Sequence, residues 1–149
     1  MEYASVKTTK VGSPFEHDTK LGPLISRQQM ESVLSYVHAG REEGARLTHG
    51  GNRVGDQGYF VQPTIFTDVN NDMKIAREEI FGPVLSIIPF KDEDDAVLKG
   101  NDTIYGLAAA VWTRDVSRAH RISRALKSGR VWINTYAEGD SVMSFGGYK

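Results

Sequence analysis

The sequence predicts an α/β fold with a mainly parallel sheet and flanking helices. Largely apolar runs of strand length lie at residues 84–88, 107–112 and 131–133. Two segments with helical features, at about 93–99 and 116–126, separate these runs. Strand, helix, strand, helix, strand with short connections is the pattern of parallel strands that are joined by right-handed crossovers.

Length and composition indicate a soluble chain of one compact domain. The 149 residues are 40% hydrophobic and 25% charged, and the formal net charge is −1. The chain lacks the basic excess that steers proteins to nucleic acids or anionic membranes. It has no apolar run of membrane-spanning length, and residues 1–12 lack the apolar centre of a signal peptide. We therefore expect a cytoplasmic protein with no nucleic-acid or membrane partner.

The first half is predicted to begin with an extended loop and a helix. Residues 1–23 are mostly loop, because they are rich in Gly, Pro, Thr and Lys and show no helical or strand period. Ser26 and Gln29 fit a capping box at the start of the helix, and Gly44 can end it. Apolar residues then follow at helical spacing, at Met30, Val33, Leu34 and Val37.

Three shorter elements are predicted after this helix. Residues 46–49 are a candidate strand. Residues 59–66 are aromatic and β-branched, but Pro63 interrupts any ladder of hydrogen bonds, so we expect an edge or bent strand there. Residues 73–79 form at most a short helix.

In the second half, the runs 84–88 and 107–112 are predicted to be buried strands, the first covered on both faces. Asp92 and Asp115 can each cap the helix that follows. Gly129 stands where the second of these helices is expected to have its C-terminal cap.

The chain contains no cysteine. Disulfides, zinc–thiolate sites and cysteine nucleophiles are therefore excluded for this chain acting alone. The four histidines lack the spacing of a metal site, and the acids at 92–95 are better explained by helix capping than by a metal. We expect no metal.

Several short motifs stand in an order and at a spacing that resemble the aldehyde dehydrogenase superfamily. They are GPLI at 22–25, EGA at 43–45 with GG at 50–51, GYFVQPT at 58–64, EEIFGPV at 78–84, NDTIYGLAA at 101–109, VWIN at 131–134 and FGGYK at 145–149. The resemblance runs from about Val11 to the last residue. It implies that residues 1–149 are a single partial domain, the C-terminal part of the family's catalytic domain.

The resemblance implies an enzyme that oxidises aldehydes to carboxylates with NAD or NADP through a cysteine thioester. In the family, the nucleophilic cysteine, the base glutamate and the Rossmann domain all precede the matched part. This chain would then be a fragment with no catalytic residue, inactive alone, that binds NAD or NADP weakly or not at all. The alternative is a non-catalytic accessory subunit that pairs with a full-length or complementary chain. Self-association or pairing with related subunits is expected.

The resemblance assigns cofactor contacts to three residues. Glu79 matches a glutamate that binds the ribose beside the nicotinamide, since a carboxylate can accept hydrogen bonds from two vicinal hydroxyls; the alternative is a solvated acid. Phe81 matches an aromatic near the nicotinamide; the alternative is a core phenylalanine. Gln29 matches a position that touches the ribose in some members, although helix capping explains it without a ligand. Ser32 replaces a lysine found in some relatives, which puts that ribose contact in doubt.

The resemblance also assigns three substrate-lining residues, Tyr136, Glu138 and Phe145. Ser144 stands where the family usually has proline before Phe-Gly-Gly-Tyr-Lys. Glu138 and Asp140 stand where many relatives have apolar or aromatic residues. One hypothesis is that these acids favour a cationic aldehyde; the alternative is that they are solvated loop acids.

Overall fold

The computed structural model of this chain describes residue 6, residues 8–139 and residues 142–149. These residues fall into two compact units that divide between Pro89 and Phe90 and are treated separately. The elements of unit 1 are α1 (Arg27–Glu42), β1 (Arg46–His49), β2 (Thr64–Thr67), α2 (Lys74–Arg77) and β3 (Val84–Ser86). Those of unit 2 are α3 (Glu93–Asn101), β4 (Ala108–Val111), α4 (Val116–Ala125) and β5 (Arg130–Ile133). The predicted α/β class is confirmed; that all 149 residues form one domain stays a prediction.

The N-terminal stretch that was predicted as loop is described in part. Met1–Ser5 and Lys7 lie outside the described residues. Val6 is helical, so the prediction of loop is wrong at that residue. Residues 8–23 consist of turns, bends and irregular backbone, with a bridge between Val11 and Leu21.

Helix α1 begins and ends where the sequence predicts. The Ser26 hydroxyl accepts a hydrogen bond from the backbone N–H of Gln29 at 3.1 Å, which is half of a capping box. Gly44 follows the last turn in the left-handed region, at φ +93°. The predicted apolar stripe is buried at three positions, Met30, Val33 and Val37.

The sheet of unit 1 has the order β1-β2-β3. Strands β1 and β2 are antiparallel, with Arg46 opposite Thr67, and β2 and β3 are parallel, with Thr64 opposite Val84. Strand β2 begins directly after Pro63, which has no N–H for a ladder, so it is shorter than the predicted 59–66.

The core of unit 1 lies between α1 and this sheet. Phe66 of β2 and Val33 of α1 are both 0% exposed. Strand β3 covers this core with one face only, because Leu85 on its other face is 54% exposed. The prediction that residues 84–88 are covered on both faces is therefore wrong for the described residues.

In unit 2, β4 and β5 form a parallel pair, with Ala108 opposite Arg130. Both predicted helix caps are confirmed. The Asp92 carboxylate accepts from the N–H of Asp95 at 2.9 Å, and the Asp115 carboxylate accepts from the N–H of Arg118 at 2.9 Å. The parallel crossover β4–α4–β5 is thus present as the residue pattern indicates. The predicted crossover from residues 84–88 to 107–112 within one sheet is wrong for the described residues, because β3 pairs with β2 in one sheet and β4 pairs with β5 in another.

The second strand of the pattern is less buried than predicted. Of β4, only Val111 is buried, and Trp112, which directly follows it, is 63% exposed. The described residues of unit 2 provide a layer of two helices and a sheet of two strands, which is too little to enclose the apolar run 107–112.

Gly129 has a different role from the predicted helix cap. Helix α4 ends at Ala125 and Leu126 is its cap residue. Gly129 instead lies directly against the C-terminal segment, because a Cβ at this position would overlap the carbonyl oxygen of Gly146. The Gly106 carbonyl accepts hydrogen bonds from the N–H groups of Gly129 and Tyr148, which ties the two segments together.

We expect Gly129→Ala to lower the free energy of unfolding by about 1–3 kcal/mol, because a backbone oxygen must move to make room for the methyl group. Gly146→Ala is the control, since a Cβ at Gly146 would meet nothing within 4 Å; its effect should stay within about 0.5 kcal/mol. Denaturant unfolding followed by the fluorescence of Trp112 and Trp132 measures both. Equal losses in the two variants would contradict the close approach.

One ion-pair cluster joins α3 to α4. The Glu93 carboxylate accepts from Arg121 at 2.9 Å and from Arg118 at 3.2 Å. These arginines hold the pKa of the Glu93 carboxyl below its ordinary value, and the hydrogen bond from Arg121 is the largest cause. A carboxyl whose pKa is lowered by folding stabilises the fold above its ordinary pKa, and this contribution is lost as the pH falls through the lowered value.

Lowering the pH from about 6 to about 3 should therefore destabilise unit 2, and Glu93→Gln should reduce the dependence on pH. The dependence should not vanish, because the pKa values of Asp95 and Asp115 are lowered too. The measurement is the denaturation midpoint at several pH values. The control is Asp94→Asn, the next residue of α3, which forms no ion pair among the described residues; it should keep the wild-type profile. A wild-type profile in Glu93→Gln would refute the assignment.

Candidate functional site

The loop at residues 78–83, which connects α2 to β3, displays two of the predicted cofactor residues. It lines an open depression of about 480 Å³. The side chains and backbone of Ile75, Glu78, Glu79, Ile80, Phe81, Gly82, Val84 and Ser86 form its surface. Glu79 and Phe81 thus lie in the same depression, as the resemblance implies for residues that bind one ligand.

Glu79 is exposed, and its carboxylate forms no hydrogen bond or ion pair with the described residues. Glu78, by contrast, accepts a hydrogen bond from the Tyr36 hydroxyl at 2.7 Å. Both Glu79 oxygens are therefore available as acceptors, which is the property that binding to a pair of vicinal hydroxyls requires.

Phe81 is 75% exposed and adopts the left-handed backbone region, at φ +55°. Among the described residues, Phe81 is therefore not part of the core of unit 1. This conformation costs a non-glycine residue roughly 1–2 kcal/mol. The Phe81 ring is not buried, and the residue is not in a preferred backbone conformation. The ring is therefore available to contact a planar ligand.

Gln29 reaches the same loop from α1. Its side-chain Nε2 donates hydrogen bonds to the carbonyls of Ile80 at 3.2 Å and Phe81 at 3.0 Å. The capping box is therefore only half formed, because the side chain extends to the loop instead of returning to the helix start. The structure brings Gln29, Glu79 and Phe81 together; the predicted contact of Gln29 with a ribose stays a prediction.

In unit 2, the predicted substrate residues Tyr136 and Phe145 belong to an aromatic cluster with Trp132 and Arg130, here called the entrance cluster. The rings of Trp132 and Tyr136 are 5.3 Å apart. The Arg130 guanidinium lies 5.7 Å from the centre of the Trp132 ring and 4.9 Å from that of Phe145. These are cation–π distances. Arg130 thus links two aromatics that are thirteen residues apart.

Arg130 and Trp132 are the two residues of this cluster that sequence reasoning did not assign to the site. Arg130 connects the others. Its Nη2 also donates to the backbone carbonyls of Met143 and Ser144, at 3.3 and 3.4 Å, and so holds the segment that carries Phe145. A signal was present, because residues two apart on a strand point to the same face. Arg130 and Trp132 are such a pair on β5.

Glu138 is exposed. Its backbone contacts the entrance cluster, because its carbonyl accepts a hydrogen bond from Trp132 Nε1. The second acid of the cationic-aldehyde hypothesis, Asp140, lies outside the described residues. Of the two acids on which that hypothesis depends, the structure therefore describes only Glu138.

Among residues 8–139 and 142–149, no three side chains of His, Asp or Glu come together as candidate metal ligands. The acids at the start of α3 act on the protein itself, because Asp92 caps the helix and Asp95 pairs with Lys99 at 2.8 Å. No helix within these same ranges is long and apolar enough to cross a bilayer.

Two groupings of exposed side chains stand out among the described residues. A free carboxylate and an exposed ring stand two positions apart on a held loop in unit 1. An arginine-bridged aromatic cluster stands at the end of β5 in unit 2. Covalent catalysis also needs an activated nucleophile, and the sequence offers no cysteine for that role.

Comparison with known proteins identifies the type of protein to which these features belong. The profile of the aldehyde dehydrogenase family matches residues 3–149. An aldehyde dehydrogenase of Emericella nidulans is 54% identical over 140 residues, which are 94% of this chain and 28% of that protein. A betaine aldehyde dehydrogenase of Brucella anthropi is 49% identical over 144 residues, 94% of this chain and 30% of that protein.

Solved structures agree with the sequence comparisons. The NAD⁺ complex of an aldehyde dehydrogenase from Bacillus cereus superposes with a TM-score of 0.95 at 44% identity, over 98% of this chain and 30% of that one. An aldehyde dehydrogenase of Mycobacterium tuberculosis complexed with NAD⁺ gives a TM-score of 0.92 at 49% identity, over 97% and 30% of the two chains. This chain spans about 30% of the length of these relatives. It belongs to the aldehyde dehydrogenase family.

Proposed function

We propose that this chain supplies part of the cofactor-facing and substrate-facing wall of an NAD- or NADP-dependent aldehyde dehydrogenase. Such an enzyme oxidises an aldehyde to a carboxylate through a cysteine thioester. The observation that carries the proposal is the pair of Glu79 and Phe81, whose free carboxylate and exposed ring project from one held loop. Solved relatives in complex with NAD⁺ support NAD as the cofactor.

In this proposal, the Glu79 carboxylate accepts hydrogen bonds from the ribose hydroxyls, and the Phe81 ring packs against the nicotinamide. The chemistry that the cofactor supplies is acceptance of a hydride by its nicotinamide ring. Tyr136 and Phe145 line the path of the aldehyde, and Arg130 fixes the segment that carries Phe145. These residues bind and orient, and none of them is a catalytic residue.

The reaction needs groups that these 149 residues do not contain. Formation of a thioester requires a thiolate, and the sequence has no cysteine. The nucleophile, the base glutamate and the Rossmann domain must then come from another stretch of polypeptide. We propose that the 149 residues alone are inactive and bind NAD or NADP weakly or not at all.

An alternative role is that of an accessory subunit that pairs with a full-length or complementary family member. It is supported by the large apolar side chains exposed in unit 2: Phe90, Leu98, Ile104, Tyr105, Leu107, Trp112, Val116, Tyr136, Val142, Met143, Phe145 and Tyr148. Apolar surface of this extent favours association. The two-stranded sheet β4–β5 adds open edges that can accept a further strand. Self-association through this surface is expected as well.

Reconstitution tests the proposal. The chain is mixed with the portion of the Emericella nidulans aldehyde dehydrogenase that precedes the matched residues, and reduced nicotinamide is measured with acetaldehyde and NAD or NADP. We expect no turnover from the chain alone and turnover from the mixture. In the mixture, Glu79→Gln should raise the KM for the cofactor by about tenfold or more, because a charge-assisted hydrogen bond is weakened. The matched control is Glu31→Gln, an exposed acid on α1.

Turnover by the purified chain alone would refute the proposal that it is inactive. Co-purification of the two polypeptides without turnover would favour the accessory role. Equal KM values in Glu79→Gln and Glu31→Gln would remove Glu79 from the cofactor site.

The charge of the aldehyde can be tested in the same mixture. The hypothesis of a cationic substrate rests on Glu138 and Asp140, and a betaine aldehyde dehydrogenase is among the relatives. Against it, the Arg130 guanidinium already lies over two aromatic faces of the entrance cluster. We therefore expect Glu138→Gln to change the KM values of betaine aldehyde and acetaldehyde by the same factor. A selective increase for betaine aldehyde would support the cationic substrate instead.

A further inference from the structure

The side chain of Gln29 uses both of its donor protons on one loop. Its Nε2 donates to the carbonyls of Ile80 at 3.2 Å and Phe81 at 3.0 Å. A side-chain amide has two N–H groups, so two bonds from Nε2 match the donor capacity of this side chain. What remains for any ligand is the amide oxygen, an acceptor.

The two carbonyls flank a residue whose conformation needs support. Phe81 is in the left-handed region, at φ +55°, which sterically disfavours a residue with a Cβ. Burial of the ring does not compensate, since Phe81 is 75% exposed. Contacts of the backbone must therefore hold this conformation, and Gln29 provides two of them.

Helix α1 holds the loop at two further points. Gly82 lies so close to Val33 that a Cβ on the glycine would overlap the valine side chain. The Tyr36 hydroxyl donates to the Glu78 carboxylate at 2.7 Å. Residues 29, 33 and 36 are spaced i, i+4 and i+7, so they lie on one face of the helix.

The three contacts restrain the loop before, at and after Phe81, and they leave the Glu79 carboxylate and the Phe81 ring projecting. We propose that Gln29 is a positioning residue, which holds the Ile80–Phe81 backbone so that the Phe81 ring stays aimed into the depression at residues 78–83. The inference rests on the proposed function for the identity of the ring's ligand. Its test contains no cofactor, so the two can fail separately.

The test is fluorine NMR of the complete chain with 4-fluorophenylalanine at all six phenylalanines. Three of them serve as reporters: Phe81 for the loop, Phe66, 0% exposed, for the core of unit 1, and Phe15, 97% exposed, as the reference for a free ring. The variants are Gln29→Met, which lacks the amide, and Gln29→Glu, which keeps the shape but loses the donors. The matched control is Gln28→Met, an exposed glutamine on the same helix.

In both Gln29 variants we expect the Phe81 resonance to move toward that of Phe15, while the Phe66 resonance stays in place. Gln28→Met should leave both unchanged. A Phe81 resonance that stays in place in the Gln29 variants would overturn the inference. If Phe66 moved together with Phe81 in both variants, Gln29 would be a structural residue of the whole unit, and the inference would be overturned as well.

Discussion

The structure depends on the burial of one face of α1 against the sheet of unit 1. Val33 and Phe66 are fully enclosed there, and Ile80 and Val84 pack on the clusters that surround them. The same helix that closes the core therefore also sets where the loop at residues 78–83 can lie. A rigid interior with interdigitated side chains transmits its geometry to the segments that leave it. This is why the backbone that carries Glu79 and Phe81 has a defined position although both side chains are exposed.

The parts of the fold with local causes could be predicted from the sequence. The caps at Ser26, Asp92 and Asp115 need only a side-chain oxygen and an N–H group three residues later, and all three form as expected. The direction of the Gln29 side chain could not be predicted, because its acceptors are 51 and 52 residues away. The close approach of Gly129 to Gly146 has the same long-range origin. Local residue patterns show the periodicity of a helix or strand. They do not show which distant segment of the chain packs against it.

A different reason explains why burial was overestimated at Leu85 and Trp112. An apolar run records the environment of a residue in the whole folded protein. The described residues leave these two side chains more than half exposed, and this chain spans about 30% of the length of its relatives. The motif EEIFGPV could identify the candidate site because both side chains come from one short loop. Arg130 was missed because its partners Met143 and Phe145 come from a segment without regular secondary structure.

The left-handed backbone conformation at Phe81 restricts which amino acids can occupy that position. Branching at Cβ makes positive φ values far harder to adopt, so valine, isoleucine and threonine are poorly suited there irrespective of any ligand. Asparagine and histidine, whose side chains tolerate this region better, would relieve strain at the expense of the phenyl face. Two requirements thus restrict the amino acid at this position: the backbone conformation and the aromatic surface of the side chain. Few residue types meet both.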